Sequence, residues 1–226
     1  MTVSQLHLEF KFRCDKLDSL NYPNFLPEEI DLLLNNAQDR LIKQRYGLNN
    51  NKRQSFEETE KRTEDLKNIT QNVILTPLPY DPVNNIDSQA RFLILPIDHW
   101  FTIQERSSVT CSYCGVPDTR RVEVIPVTHT EISKVLKDPF AQPNIEKVLR
   151  LMFNGKVELI SNCIIVDYQM RYLRQPVTIN LTTGVTCELS DHIHSELIDL
   201  AVTIGLEGIE SKRNQSFNPL INNTNE

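Results

Sequence analysis

From Phe25 to Gly47 the apolar residues recur in steps of three and four: Ile30, Leu33, Leu34, Ala37 and Leu41, extended by Ile42 and Tyr46. That spacing lays a single apolar stripe along a helix. Pro27 suits the first helical position, where its missing N–H would be unpaired anyway. Glu28, Glu29 and Asp31 sit at the positive end of the helix dipole, and Lys43 and Arg45 in its last turn. Gly47 suits a left-handed stop. Phe25 and Leu26 are placed to staple the chain onto this helix. Upstream, Leu6, Phe10, Cys14, Leu17 and Leu20 predict a helix over 3–19. Downstream, Ser55 and Glu58 make a capping box for a helix from Phe56 to Asn68. Its apolar residues are only Phe56, Leu66 and Ile69, so it is expected to be exposed or completed by another subunit. A last helix is predicted from Ser190, its N-cap, to about Ile209. One face of it carries Ile193, Leu197, Leu200, Ala201, Ile204 and Gly208.

Between these helices the period shortens. Val73–Leu75, Arg91–Leu95, Trp100–Cys111, Arg121–Val127, Ile164–Leu173 and Val177–Leu181 read as strands, with Val122 and Val124 facing one way. Val148–Phe153 and Lys156–Ile160 flank Asn154-Gly155, the strongest two-residue hairpin signal. Residues 77–90 form a Pro- and Asn-rich linker. Thr128 or Thr130 caps a short helix to Leu136, and Asp138-Pro139-Phe140 breaks it. Strand and helix do not alternate regularly, which predicts an antiparallel sheet. The expected fold is α+β: a helical bundle of the N-terminal helices and the C-terminal helix, with an antiparallel β-domain. The expected divisions are 1–72 for the N-terminal helices, 73–181 for the β-domain, 182–211 for the C-terminal helix and 212–226 for a polar tail arm.

The 226 residues suffice for a real core, and 39% hydrophobic with 24% charged residues is ordinary for a soluble protein. Only six glycines disfavour a Gly-rich phosphate loop. A net charge of −6 argues against a general nucleic-acid binder, although Arg120–Arg121 and Arg171–Arg174 are local basic pairs. No signal peptide is recognisable, and no run approaches the roughly 20 apolar residues of a membrane span. The five cysteines, an odd number without an export signal, are expected to be thiols in a reducing compartment.

Cys111-Ser112-Tyr113-Cys114 has the spacing of half a tetrahedral zinc site. Cys163, Cys187, His192 and His194 are the remaining candidate ligands, but none forms a second close cysteine pair. His192 and His194 lie two apart on a helix and diverge. Asp191, His192, His194 and Glu196 read as a polar helix start. Asp98-His99-Trp100 lacks convergent partners. Tyr168, Tyr172, Arg171 and Arg174 alternate along a strand that lines a charged channel, contacts phosphate or forms a solvated face, the last being the commoner outcome. No serine elbow, P-loop or dinucleotide fingerprint is present. No catalytic, cofactor or metal site is assigned, and Cys111 and Cys114 are kept only as the pair that a zinc-binding module or enzyme would need.

Several short runs, in order, resemble one family. They are Leu8-Glu9-Phe10, Asp15-Lys16-Leu17-Asp18-Ser19, Glu28-Glu29-Ile30-Asp31, Leu34-Asn35-Asn36-Ala37-Gln38 and Lys43-Gln44-Arg45-Tyr46. Leu95-Pro96 before Trp100, Asp138-Pro139-Phe140, Tyr172-Leu173-Arg174-Gln175-Pro176 and Cys187-Glu188-Leu189-Ser190 follow. Together, across about residues 5–213, they resemble the head-to-tail connector ring (neck) proteins of crAss-like tailed bacteriophages. The resemblance implies a virion structural protein, not an enzyme. It implies a homo-oligomer, a dodecameric ring, stacked below the portal with other ring or tail proteins. Double-stranded DNA would pass through it, and no membrane would be involved. It places the chain in the tail or neck, assembled in the host cytoplasm. The acidic balance fits a channel in which DNA slides without sticking. A tail-hub or fibre adaptor is the alternative. Phe56, Leu66, Tyr172, Arg174 and Phe217 are the expected interface residues.

Overall fold

The computed structural model describes residues 1–14, 25–47, 60–113 and 116–208. Two compact units result, Met1–Ile69 with Pro176–Glu226, and Thr70–Gln175. The first contains helices α1 (Val3–Arg13), α2 (Pro27–Tyr46), α3 (Glu60–Leu66) and α5 (His194–Gly208). The second contains β1 (Thr70–Leu75), β2 (Arg91–Ile94), β3 (His99–Tyr113), β4 (Val116–Pro126), a short α4 (Ile132–Val135), β5 (Lys147–Phe153), β6 (Lys156–Ile160) and β7 (Ile164–Arg174). No helix among the described residues is long and apolar enough to cross a membrane.

In the helical unit α2 begins at Pro27, and Glu29 reaches back to accept the Leu26 N–H at 2.8 Å. Its end departs from expectation: Gly47 is extended (φ −71°, ψ 150°), not left-handed. Leu26 is 60% exposed and staples nothing, whereas the Phe25 ring meets Phe10 of α1 edge-on, centroids 5.5 Å apart. The α1 helix opens on a capping box between Thr2 and Gln5. The expected third helix is described only as α3 and a 3-10 turn, Lys67–Ile69. Leu66 and Ile69 are fully buried, while Glu60, Lys61, Thr63 and Glu64 are exposed. Along α5 burial is not confined to one stripe, since Leu197, Ile198, Ala201, Val202 and Leu206 are all covered while Ile204 is half-buried. The Ser190 hydroxyl does not cap the helix; it donates to the Glu64 carbonyl at 2.8 Å.

The expected strand over 177–181 is not part of the sheet, and the reason is its hydrogen bonding. Three α2 side chains take the place of a neighbouring strand. Gln38 donates to the Val177 carbonyl (3.3 Å), Asn35 both accepts from and donates to Ile179 (2.8 and 2.9 Å), and Asp31 accepts the Leu181 N–H (3.1 Å). Asp31, Gln38 and Arg45 recur every seven residues, two helical turns, and all three are buried. Asp31 also pairs with His7 of α1 at 2.8 Å, and Gln38 accepts the Cys187 thiol at 3.1 Å. Burial pushes that thiol up to about 11.

The sheet unit is one seven-stranded sheet, ordered β1-β7-β3-β4-β5-β6-β2. The purely antiparallel expectation is corrected at one place: β4 and β5 are parallel, Val124 opposite Val148. Residues 127–146 link them, longer than the dozen or so residues a parallel crossover requires, and carry α4. The hairpin is as expected, with Asn154 at φ 45° and Gly155 at φ 70°, the positive pair a type I′ turn needs. Val109, Val122, Val124, Val148, Tyr168 and Met170 belong to the main core. Alternation sends Leu149 and Leu151 to the other face of β5, where Ile132 of α4 covers them.

Candidate functional site

The residues that suggested chemistry do not converge. Cys111, near the end of β3, is bonded to Cys163, just before β7, with Cα atoms 4.9 Å apart. The ladder explains the pairing. Thr110 faces Ile164 in register, so the next position out brings the two cysteines together. This corrects the expectation of all-thiol cysteines and removes Cys111 and Cys163 as thiolate ligands for zinc. Cys114 lies outside the described residues. Among the described residues no group of three His, Cys, Asp or Glu side chains is placed to hold a metal. Reducing the bridge, or Cys163→Ser, is expected to destabilise the sheet unit by about 2–4 kcal/mol, because the open form regains loop entropy. Thermal melts with and without reductant check this, and identical curves would refute it.

His192 and His194 diverge, as their spacing requires. His192 pairs with Asp65 of α3 at 2.7 Å. His194 is enclosed, its Nε2 3.2 Å from the Leu189 carbonyl and its Nδ1 3.1 Å from the N-terminal amine. Burial, then the N-terminal ammonium, hold its pKa below the usual 6.5. A base whose folded pKa is depressed stabilises the fold above pH 6.5 and loses that contribution as pH falls through the folded value. Stability is therefore expected to drop from pH 7.5 to 5, by at most about 1.4 kcal/mol per unit from this group. His194→Gln should flatten that slope in urea titrations, and an unchanged slope would assign it elsewhere.

Asp98, His99 and Trp100 each have local partners. Asp98 accepts the Tyr172 hydroxyl at 3.1 Å, His99 lies 2.9 Å from the Thr102 hydroxyl, and Trp100 stacks on Phe101 at 4.9 Å. Tyr168 is fully buried beside the Glu105–Arg150 ion pair. Burial raises the Glu105 pKa, and burial with the nearby Glu105 charge raises that of Tyr168.

Of the expected interface residues, Leu66 is fully buried and Tyr172 is 5% exposed within the single chain. Core packing covers the first, and the sheet with Asp98 covers the second. Arg174 is half-buried, and Phe56 and Phe217 lie outside the described residues. The apolar surface left open lies elsewhere. Leu8 and Phe12 form an i,i+4 pair on α1, 57% and 67% exposed, and Leu32 on α2 is 61% exposed. On the sheet unit Ile94, Ile97, Phe140 and Phe153 are exposed. No spacing rule marked Leu8 and Phe12, since Leu6 and Phe10 read equally well as the buried face.

A second surface is polar. Register puts Gln104 opposite Arg171, Arg106 opposite both Gln169 and Glu123, and Ser108 opposite Arg121, all on one face of β7-β3-β4. Gln104, Glu105, Arg106, Arg121, Gln169 and Arg171 line a recess of about 130 Å3 there. It holds cations and amides and offers no nucleophile beside a base.

The sequence matches the family model described as phage tail ring protein 3/4 over residues 1–217. The chain belongs to that family. Ring protein 3 of Bacteroides phage crAss001 is 28% identical over 200 residues, covering 81% of this chain and 86% of that one. Ring protein 4/5 of the same phage is 26% identical over 229 residues, covering 90% and 92%. The chain is thus a structural ring protein of a phage virion.

Proposed function

We propose that this ring protein forms one ring of the head-to-tail connector, between portal and tail, and that packaged DNA passes through it. The family match over nearly the whole chain carries the reading. That one phage holds both a ring protein 3 and a ring protein 4/5 related to this chain supports a stack of similar rings. A ring closes by repeating one head-to-tail contact, which needs two different complementary surfaces on each copy. The exposed Leu8–Phe12 pair and the arginine-lined recess are surfaces of two different kinds. A disulfide suits a particle that persists outside the cell. Twelve copies, portal contact above and other ring or tail proteins below complete the proposal. No cofactor is needed.

The charge is unevenly placed. The sheet unit holds 11 Lys and Arg against 11 Asp and Glu, so the helical unit and its terminal segment carry the whole −6. A channel wall formed by that part would let DNA slide, because counterion release favours only cationic contacts. Electron microscopy of intact virions tests the reading. Density for twelve copies encircling DNA below the portal is expected. Location in a fibre or hub would favour the adaptor alternative and defeat the connector.

A further inference from the structure

The recess on the β7-β3-β4 face gathers three arginines that have no ion-pair partner among the described residues. Four arginines elsewhere are matched, Arg13 by Glu9 and Asp199, Arg45 by Asp65 and Glu196, Arg120 by Asp118 and Arg150 by Glu105, while Arg91 instead donates to the Ser88 and Ala90 carbonyls. Arg106, Arg121 and Arg171 make no ion pair with any described residue, although Glu123 stands opposite Arg106 and Asp167 opposite Ser108 on the same face. Glu105 lines the recess too, but its charge is engaged by Arg150. Three guanidinium groups therefore converge on one small hollow with no counterion from the described part of their own chain.

We propose that this recess is an interface socket that takes a carboxylate side chain from the helical unit of a second copy of the chain. The inference rests on the ring reading. Planar guanidinium forks match carboxylates two bonds at a time, and the Gln104 and Gln169 amides add neutral donors. A hollow of about 130 Å3 has room for one such group. DNA binding instead needs a track of cations along the backbone, and the sheet unit has no net charge. The complementary charge is abundant on the same polypeptide, whose helical unit is acidic and exposes carboxylates such as Glu28 and Glu60. Socket and acid on different units of one chain form the head-to-tail complementarity that a closed ring repeats.

The test is side-chain-resolution electron microscopy of the assembled particle, joined to substitution. The expected map shows an Asp or Glu of the adjacent copy's helical unit against at least two of the three guanidinium groups. DNA phosphate, another protein or open solvent in the recess would overturn the socket. Arg106→Gln with Arg171→Gln is expected to cut incorporation into particles at least tenfold, each lost charge-assisted bond being worth roughly a factor of ten. The melting temperature of the isolated chain should not move, because Arg106 and Arg171 are exposed. Wild-type incorporation of this double variant would sink the proposal. Arg106→Lys with Arg171→Lys keeps charge without the fork, and should fall between the two. A chain located outside any ring defeats the functional reading; a ring with an empty recess defeats only the socket.

Discussion

Arg45→Met is expected to destabilise the helical unit by about 3–5 kcal/mol, the usual cost of leaving a buried charge without its partner. The Arg45 side chain is 6% exposed and that of Asp65 fully buried. Arg45 Nε lies 3.0 Å from Asp65, and its Nη2 lies 2.6 Å from both Glu196 oxygens. One guanidinium thus serves carboxylates from α3 and α5, with α2 holding it between them. Without it two carboxylates face each other in a site with little water, and the His192 contact with Asp65 cannot compensate both. The substitution keeps a long apolar stem, so lost packing is minimised. Urea unfolding measures the loss, and a loss below about 1 kcal/mol would show that solvent reaches the site. The triple change Arg45→Met, Asp65→Leu, Glu196→Leu should recover most of the stability, because apolar groups of similar volume often replace a buried ion network without net cost. What that variant would lack is the register that three charged contacts impose on three helices.

The same network marks the boundary of what sequence reading supplies. Pro27, the acidic first turn and the stripe from Ile30 to Ile42 are local signals, and α2 lies where they put it. Asn154-Gly155 is also local, since Asn-Gly suits the two positive φ values of a type I′ turn, one of the two turns that match the twist of a two-residue hairpin. By contrast, Asp31, Gln38 and Arg45 look like ordinary polar residues in a helix until the segment 177–181 and α3 arrive as partners. The same remoteness hid the parallel β4–β5 pair and the Cys111–Cys163 bridge. Pairing over long separations leaves no local periodicity. The segment 177–181 misled for a related reason: its extended pattern was correct, but side-chain amides and a carboxylate replaced the neighbouring strand. Of the recess arginines, Arg121 and Arg171 were visible as members of basic pairs, and Arg106 was not. Their convergence was not, because it depends on the β3 register against two different strands.

Phe10→Ala is expected to cost about 3–5 kcal/mol, the transfer and cavity loss of a fully buried aromatic. Phe10 is the residue of α1 that reaches the Phe25 ring and approaches α5 where that helix has Gly205. A Cβ at Gly205 would stand 3.5 Å from the Phe10 Cζ and 3.2 Å from a Leu33 methyl, so glycine lets α1 and α2 side chains close over α5. The void left by alanine is bordered by three elements that are held elsewhere, by Arg13 to Asp199 and by Arg45 to Glu196, and it cannot collapse freely. Phe10→Leu should lose clearly less, because more of the volume stays filled. Equal losses for the two would mean that the edge-to-face ring contact, not the volume, matters at this position. A loosened α1 also moves Leu8 and Phe12, its exposed apolar pair, so ring incorporation should fall along with stability in Phe10→Ala. Adding Phe12→Ser to the wild-type background separates the two effects. It should leave the melting temperature nearly unchanged, since the side chain is exposed, and lower incorporation only if this face of α1 meets a neighbour.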